Sequence, residues 1–224
     1  MRSKQPPVVT SVNVGQPRQF ELNGRSFTSA IWKFPVEGHL QVRGVNIVGD
    51  DQADREVHGG HDKAVYAYAQ EDYDWWTAQL GFAPEPGTFG ENLTVMRIDL
   101  NGSLVGDRWR VGSAVLEVTQ PRLPCFKLGV RMGDPTFPRR FARSSRWGAY
   151  LAILEEGEIG AGDRIELIHR PPHHVTVDLV ADIYYHDHSR AGELLEADSL
   201  PAGWRDWAEK ILSGGAPARR PKIG

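Results

Sequence analysis

The stretch DRWRVGSAVLEV, residues 107–118, has the pattern of two short β-strands joined by a tight turn. Residues 107–111 and 114–118 are rich in Val and other residues that favour strands. Between them, Gly112 and Ser113 form a two-residue loop, and a glycine at its first position suits a type II′ turn. The stretch therefore predicts a β-hairpin.

Six further runs in the first 170 residues share this character, being apolar or β-branched and bounded by Gly, Pro, Asn or Asp. They are residues 8–14, 40–48, 64–69, 91–95, 148–154 and 163–168. With the hairpin they make eight predicted strands, so we expect a mainly β fold with a few helices.

Helical patterns are fewer and concentrate near the C-terminus. EDYDWWTAQLG predicts a helix, because acidic residues open it and Gly81 stands where a left-handed cap would lie. FPRRFARSSRW predicts a second helix. After HRPPHH, apolar residues recur at spacings of three and four, as at Trp204, Trp207 and Ile211. We expect a β-rich domain over 1–170, a helical unit over 171–212 and a disordered tail over 213–224.

Charge and composition exclude several classes of partner. The 224 residues carry 26 Lys and Arg against 29 Asp and Glu, so broad attraction to nucleic acid or an anionic membrane is not expected. No run approaches 18 apolar residues, and the N-terminal stretch lacks the apolar region of a signal peptide. A single cysteine excludes an intrachain disulfide. We expect a cytoplasmic protein.

That cysteine, Cys125, lies in TQPRLPCFKLG between Arg122 and Lys127. Nearby cations favour the thiolate, which is both the nucleophile and the metal ligand. Pro124 suits the first position of a helix that Gly129 would end after one turn. A small buried hydrophobic side chain is the alternative interpretation, and the local sequence leaves both open.

A second polar stretch, DREVHGGHDKAVYAY, places His58, Gly59, Gly60, His61 and Lys63 before an apolar strand. Glycines let a ligand approach the main chain closely, and their amides can hold an anion. The alternative is a tight loop with exposed histidines.

GTFGENLTV is a third such stretch, again a glycine-rich turn into a strand. It offers the backbone of Gly90 and the side chains of Glu91 and Asn92.

RRFARSSRW carries four arginines. On a helix, Arg139 and Arg143 share a face, which predicts either an anion clamp or a solvated surface.

Taken together, GVNIVGDDQADREVHGGHDKAVYAY, PGTFGENLTV, VGDRWRVGSAVLEVTQPRLPCFKLG and EEGEIGAGDRIEL resemble the MOSC family, named for the C-terminal domain of molybdenum-cofactor sulfurase. The resemblance follows the chain from about residue 8 to residue 212, and it is nearest to the YiiM-like branch. It implies a MOSC-type β-barrel followed by a small C-terminal unit of three helices.

The resemblance also implies a function and a site. It implies binding of the molybdenum cofactor, with Cys125 as the metal ligand, and reduction of N-hydroxylated compounds such as 6-hydroxylaminopurine-type base analogues. The implied catalytic residues are Cys125, Asn92 and Glu91. The implied cofactor-binding residues are His58, Gly59, Gly60, Lys63, Gly90, Arg122 and Arg143. No dinucleotide or iron–sulfur motif is present in the sequence, so a separate electron-donor protein is expected. The oligomeric state is left open.

Three alternatives compete with this hypothesis. One is a zinc site that combines Cys125 with His58 and His61, or that uses His186 and His188. Another is a hydrolase with Cys125 as nucleophile and His58 as base. The third is a non-catalytic carrier of the cofactor, or of sulfur as a persulfide on Cys125, whose residues would look the same in sequence.

Overall fold

The computed structural model describes residues 5–22, 24–52 and 59–215. In these ranges the β-strands, numbered in chain order, are Val8–Val14 (β1), Arg18–Leu22 (β2), Arg25–Ser29 (β3), Phe34–Val36 (β4), His39–Arg43 (β5), Asn46–Ile47 (β6), Val65–Ala69 (β7), Leu93–Met96 (β8), Arg108–Val111 (β9), Ala114–Pro121 (β10), Ala149–Glu155 (β11), Gly157–Gly160 (β12) and Ile165–His169 (β13). The α-helices are Gln70–Leu80 (α1), Phe126–Met132 (α2), Phe137–Ser144 (α3), Val177–Tyr185 (α4) and Ala202–Leu212 (α5). Short 3-10 helices lie at His61–Lys63 and His188–Glu196.

An eight-stranded sheet in the order β13-β9-β10-β11-β7-β8-β1-β4 forms the centre of the molecule. Every residue of β7 and β10 is buried, which is typical of strands covered on both faces; β7 is continuously apolar, whereas β10 also buries Glu117, Thr119 and Gln120. Neighbouring strands are antiparallel except β7 and β8, which are parallel. A parallel pair needs a long connection, and α1 supplies it.

The expected closed β-barrel is wrong, because the strand order of this sheet ends at β13 on one side and at β4 on the other. Strand β4 occupies the edge of β1 at Val12–Val14. The N-terminal end of β1 reaches the start of the last strand through an isolated bridge between Val8 and Arg164 and through backbone hydrogen bonds, without joining it in a continuous ladder. The molecule is a mixed α+β fold dominated by sheet.

The predicted hairpin is confirmed: Val111 faces Ala114, and Gly112 takes a positive φ of 57° in the loop. Helix α1 is also confirmed, and Gly81 caps it with a φ of 76°. Gly129, by contrast, does not end the helix after Cys125. Helix α2 runs through it to Met132 and ends at Gly133, whose φ is 65°.

Four strands were not expected from the sequence, namely β2, β3, β4 and β12. Strands β2 and β3 pair only with each other, in a ribbon on which Phe20 faces Phe27. The ring of Phe20 stacks on Trp32 at a centroid distance of 3.9 Å. The predicted run over 40–48 is interrupted at Gly44, which has a φ of 61° and separates β5 from β6.

The C-terminal region contains two α-helices and the second 3-10 helix, so the expected unit of three helices is not confirmed in that form. Its own apolar cluster includes Leu194, Trp204 and Trp207, and Leu123 of the sheet region packs against it. The boundary at residue 170 stays a prediction, and residues 216–224 of the predicted tail lie outside the described residues. No helix in the described ranges has the length and apolar character needed to cross a membrane.

Aromatic packing positions one loop of particular importance, the turn between α1 and β8. Phe89 is fully buried among Tyr68, Tyr73 and Phe141, with ring centroids 4.8–6.0 Å from its own. Such pairs contribute beyond simple burial. The backbone next to Phe89 is therefore held rigidly.

Candidate functional site

One open cleft, with about 690 Å³ of empty space, brings together segments that are far apart in sequence. Its lining comes from residues 29–33, 50–52, 63–66, 89–92 and 122–127 and from Tyr150. Part of this space is open solvent, so the lining residues, and not the volume, make the cleft a candidate site.

Cys125 lines the cleft with only 7% of its surface exposed. It is the N-cap residue of α2, and its backbone is extended, with φ −124° and ψ 174°. Pro124 therefore precedes the helix instead of forming its first turn. The position of Cys125 is therefore fixed by the start of α2, and the residue forms part of the cleft lining.

Arg122 lies in the same wall and is 5% exposed. Its guanidinium carbon is 5.2 Å from the ring centroid of Phe141 and 5.8 Å from that of Tyr66. Its Nη1 atom is buried without a hydrogen-bond partner among the described residues. A buried cation with an unpaired N–H is costly unless an anion or acceptor approaches it, so this atom favours an anionic ligand.

Lys63 ends the first 3-10 helix and is 8% exposed. Its Nζ lies 5.9 Å from the ring centroid of Tyr150. Gly60, which caps that helix, has a φ of 90°, a conformation that residues with a Cβ rarely adopt. The Gly60 amide donates to Oε1 of Gln52 at 2.9 Å, so it is already used inside the protein. Gly59 is buried, and His58 lies outside the described residues.

Asn92 enters the cleft from the loop after α1 and is 4% exposed. Its Nδ2 donates to Oδ2 of Asp50 at 2.9 Å, and its Oδ1 accepts from the amide of Tyr66 at 3.1 Å. Gly90 of the same loop has a φ of 83°, and a Cβ there would lie 2.8 Å from Cγ1 of Ile31. The loop is thus tied to two neighbouring segments and tolerates no side chain at Gly90.

Sequence reasoning missed three cleft residues, Lys33, Asp50 and Tyr150. Lys33 and Asp50 form an ion pair in the cleft. Burial lowers the pKa of Lys33, against the opposing effect of Asp50. Burial raises the pKa of Tyr150, which keeps its phenol protonated at neutral pH. None of these residues has a local sequence signal, because each meets the others only through the tertiary fold.

Glu91 does not line the cleft. It is fully buried, and its Oε1 accepts from the hydroxyl of Tyr73 at 2.5 Å, from the amide of Gly87 at 2.6 Å and from Oγ1 of Thr94 at 2.9 Å. Burial raises the pKa of this carboxyl, although those hydrogen bonds oppose the shift.

The arginines of α3 also lie away from the cleft lining. Arg139 and Arg143 are exposed. Arg140 pairs with Asp134 at 3.6 Å, and Arg146, which follows the helix, pairs with Asp72. The structure does not bring Arg143 together with the predicted site residues.

Within residues 5–22, 24–52 and 59–215, no group of three or more His, Cys, Asp or Glu side chains is arranged to hold a metal ion. His61 is paired with Asp62 at 2.9 Å. His188 is 2.9 Å from the carbonyl oxygen of Tyr184. A zinc site that includes His58 falls outside the described residues.

Comparison with known proteins places the chain in a family. The model of the MOSC domain matches residues 54–166. Protein YiiM of Escherichia coli (strain K12) is 33% identical over 196 residues, covering 83% of this chain and 86% of that protein. A protein of Gibberella moniliformis named Reductase is 36% identical over 172 residues, which are 74% of this chain and 30% of that protein.

Solved structures agree. The crystal structure of YiiM from Geobacillus stearothermophilus matches with a TM-score of 0.77 at 30% identity, over 92% of this chain and 100% of that one. The chain therefore belongs to the MOSC domain family and is one of its YiiM-like members.

Proposed function

We propose that the protein binds the molybdenum cofactor in this cleft, with Cys125 as the protein ligand of molybdenum, and reduces N-hydroxylated compounds there. Family membership and the relative named Reductase support the proposal. The observation that carries it is that Cys125 lines the same cleft as Arg122, whose buried Nη1 has no hydrogen-bond partner among the described residues.

The donor set fits such a cofactor. A thiolate is a soft ligand of the kind that suits molybdenum, and the pterin dithiolene supplies further sulfur, so one cysteine is sufficient. Among the described residues, four cations line the cleft against two acids: Lys33, Lys63, Arg122 and Lys127 against Asp50 and Asp51. This excess of positive charge, together with the unpaired Arg122 Nη1, suits the phosphate-bearing pterin.

The bound cofactor would supply the two-electron redox chemistry, and the protein contributes binding, orientation and electrostatics. Reduction of an N–OH compound consumes two electrons and two protons and releases the amine and water. Arg122 and Lys63 offer only donors, so they hold anionic or acceptor groups. The protonated phenol of Tyr150 is a third donor in the same wall. Asn92 uses Nδ2 for Asp50 and for the carbonyl of Asn13, so it can meet the pterin or the substrate only as an acceptor through Oδ1.

The other candidate residues receive different roles. Glu91 stabilises the loop that carries Gly90 and Asn92 and does not act on the substrate. Its hydrogen bonds are to Tyr73, Gly87 and Thr94, all of them buried. Gly60 does not line the cleft; it contributes the conformation of the cap of the 3-10 helix that ends at Lys63. Arg143 has no part in the proposed cleft. Electrons come from a separate donor protein.

The test is metal and pterin analysis of protein made in a host that synthesises the cofactor, followed by turnover of an N-hydroxylated compound with an artificial electron donor. Stoichiometric molybdenum with turnover supports the proposal. Molybdenum without turnover indicates the carrier function instead. Stoichiometric zinc without molybdenum would contradict both.

A further inference from the structure

The indole of Trp204, on α5, reaches the strand that leads into the cleft. Its Nε1 donates to Oε1 of Gln120 at 2.9 Å, and neither residue is exposed. Gln120 is near the end of β10, two residues before Arg122 and five before Cys125. A C-terminal helix is thus hydrogen-bonded to the segment that carries the proposed metal ligand.

Gln120 continues the connection on its other side. Its Nε2 donates to the carbonyl of Asp62 at 3.3 Å, and Oγ1 of Thr119 donates to the same carbonyl at 2.7 Å. Asp62 directly precedes Lys63, which lines the cleft. One buried amide therefore links α5 to two of the segments that present cations to the cleft, those of Lys63 and Arg122.

Apolar packing also connects the C-terminal region to the cleft. Leu123 lines the cleft and also packs against the apolar cluster of the C-terminal region. The strand itself is irregular at this point, since its register with β11 shifts between Val118 and Gln120. A bulge re-aims side chains and weakens the ladder locally, so the segment depends on side-chain contacts for its position.

We propose that the C-terminal helices form part of the scaffold of the cleft, and that Gln120, held by Trp204, is the positioning residue that fixes the Lys63 and Arg122–Cys125 segments relative to each other. The inference concerns the cleft of the proposed function, but it is carried by contacts of the protein alone. It assigns the C-terminal helices a role in ligand retention.

Trp207, on the same helix, provides a matched control. It is 3% exposed, and its Nε1 has no hydrogen-bond partner in the described part of the chain. Trp204→Phe and Trp207→Phe both remove indole volume, whereas only Trp204→Phe removes the bond to Gln120. The difference between the two variants isolates the link.

The experiment measures alkylation of Cys125, the single cysteine, by iodoacetamide in the full-length protein without cofactor, well below the melting temperature of each variant. Trp204→Phe is expected to raise the alkylation rate about fivefold over Trp207→Phe, the factor that corresponds to one typical buried hydrogen bond. In cofactor-loaded protein, the cofactor should be lost faster by a similar factor. Gln120→Leu should raise the alkylation rate at least as much, because it also removes the bond to the carbonyl of Asp62, and the double variant with Trp204→Phe should be no worse than Gln120→Leu alone.

Equal alkylation rates in the two tryptophan variants would overturn the proposal, and so would additive effects of Trp204→Phe and Gln120→Leu. Should either tryptophan variant fail to fold, the alkylation rate of Gln120→Leu is compared with that of the wild type. Equal rates in these two proteins would also overturn the proposal. Because the alkylation readout requires no cofactor, it remains decisive even if the wild-type protein proves to bind no molybdenum.

Discussion

The hydroxyl of Tyr73 donates a 2.5 Å hydrogen bond to Oε1 of Glu91 in a part of the core that excludes water from both side chains. The same oxygen accepts from the amide of Gly87 and from Oγ1 of Thr94. The carboxyl therefore binds residues on both sides of the segment that carries Gly90 and Asn92. Oε2 has no partner among the described residues. Burial raises the pKa of Glu91 because the charged form is poorly solvated there.

Glu91→Gln should reveal this raised pKa as a pH dependence of stability. A carboxyl whose pKa is raised on folding contributes stability that is present below its unfolded pKa and is lost as pH rises through its folded pKa. The amide does not titrate. Relative to the wild type, the variant's free energy of unfolding should therefore improve from pH 5 upward, by at most about 1.4 kcal/mol per pH unit. Urea unfolding across pH 5–8 measures it.

Glu85→Gln is the control for that series, since Glu85 is exposed on the same loop. Its difference from the wild type should stay flat over the same pH range. A flat difference for Glu91→Gln as well would show that the Glu91 carboxyl does not titrate differently in the folded protein.

Cys125→Ser should abolish retention of molybdenum and all reductase activity. The substitution keeps the size of the side chain but exchanges a thiolate for a hydroxyl that does not ionise near neutral pH. Because Cys125 is a buried N-cap residue and serine is a favoured one, the fold should persist. Metal analysis and circular dichroism of the same preparation check both parts. Full molybdenum content in this variant would remove Cys125 from the metal site.

Local signals explain what could be predicted from the sequence. The hairpin at Gly112 and the end of α1 at Gly81 both depend on a glycine with positive φ between strongly patterned runs. The ribbon of β2 and β3 was missed because its strands are largely exposed, and Phe20 gains its main partner, Trp32, from outside the ribbon. The sheet stays open because β4 pairs with β1 at Val12–Val14. No local sequence pattern indicates which strand pairs with β1.

The cleft shows the same division. Cys125, Arg122, Lys63 and Asn92 were predicted from their stretches, and the structure brings them together. Lys33, Asp50 and Tyr150 could not be predicted, because they join only in the folded chain. Glu91 was expected to share a site with its neighbour Asn92, but the Glu91 side chain bonds to Tyr73, Gly87 and Thr94 in the core, whereas Asn92 lines the cleft. The roles of all these residues stay predictions.

Arg122→Met should lower cofactor retention about tenfold or more, because a charge-assisted hydrogen bond to the ligand is lost. Stability without cofactor should change by less than about 1 kcal/mol, since the lost contacts with the rings of Tyr66 and Phe141 are offset by removal of a buried charge. Cofactor loss on dilution and thermal melting measure the two effects. Arg108→Met is the control: Arg108 is partly exposed, pairs with Glu117 at 2.8 Å and lies outside the cleft lining. Equal retention in both variants would contradict an anion site at Arg122.

Lys63→Ala tests the second cation. If Lys63 holds an anionic group of the cofactor, retention should fall about tenfold, as for one charge-assisted hydrogen bond. The melting temperature without cofactor should hardly move. Unchanged molybdenum occupancy when the host's cofactor supply is limiting would shift the phosphate contact to Lys127, which lines the same cleft.

Gly60→Val separates conformation from chemistry in the loop next to Lys63. The φ of Gly60 is 90°, so a β-branched side chain there is strained and should cost roughly 1–3 kcal/mol of stability. Cofactor retention should fall as well, because Gly60 caps the helix that presents Lys63 to the cleft. Gly162→Val is the matched control: its φ is 97°, it has open space around a Cβ, and it lies outside the cleft lining. Thermal unfolding should show a lower melting temperature for both variants, and only Gly60→Val should lose cofactor. Equal cofactor retention in the two variants would show that Gly60 shapes the turn but has no part in cofactor binding.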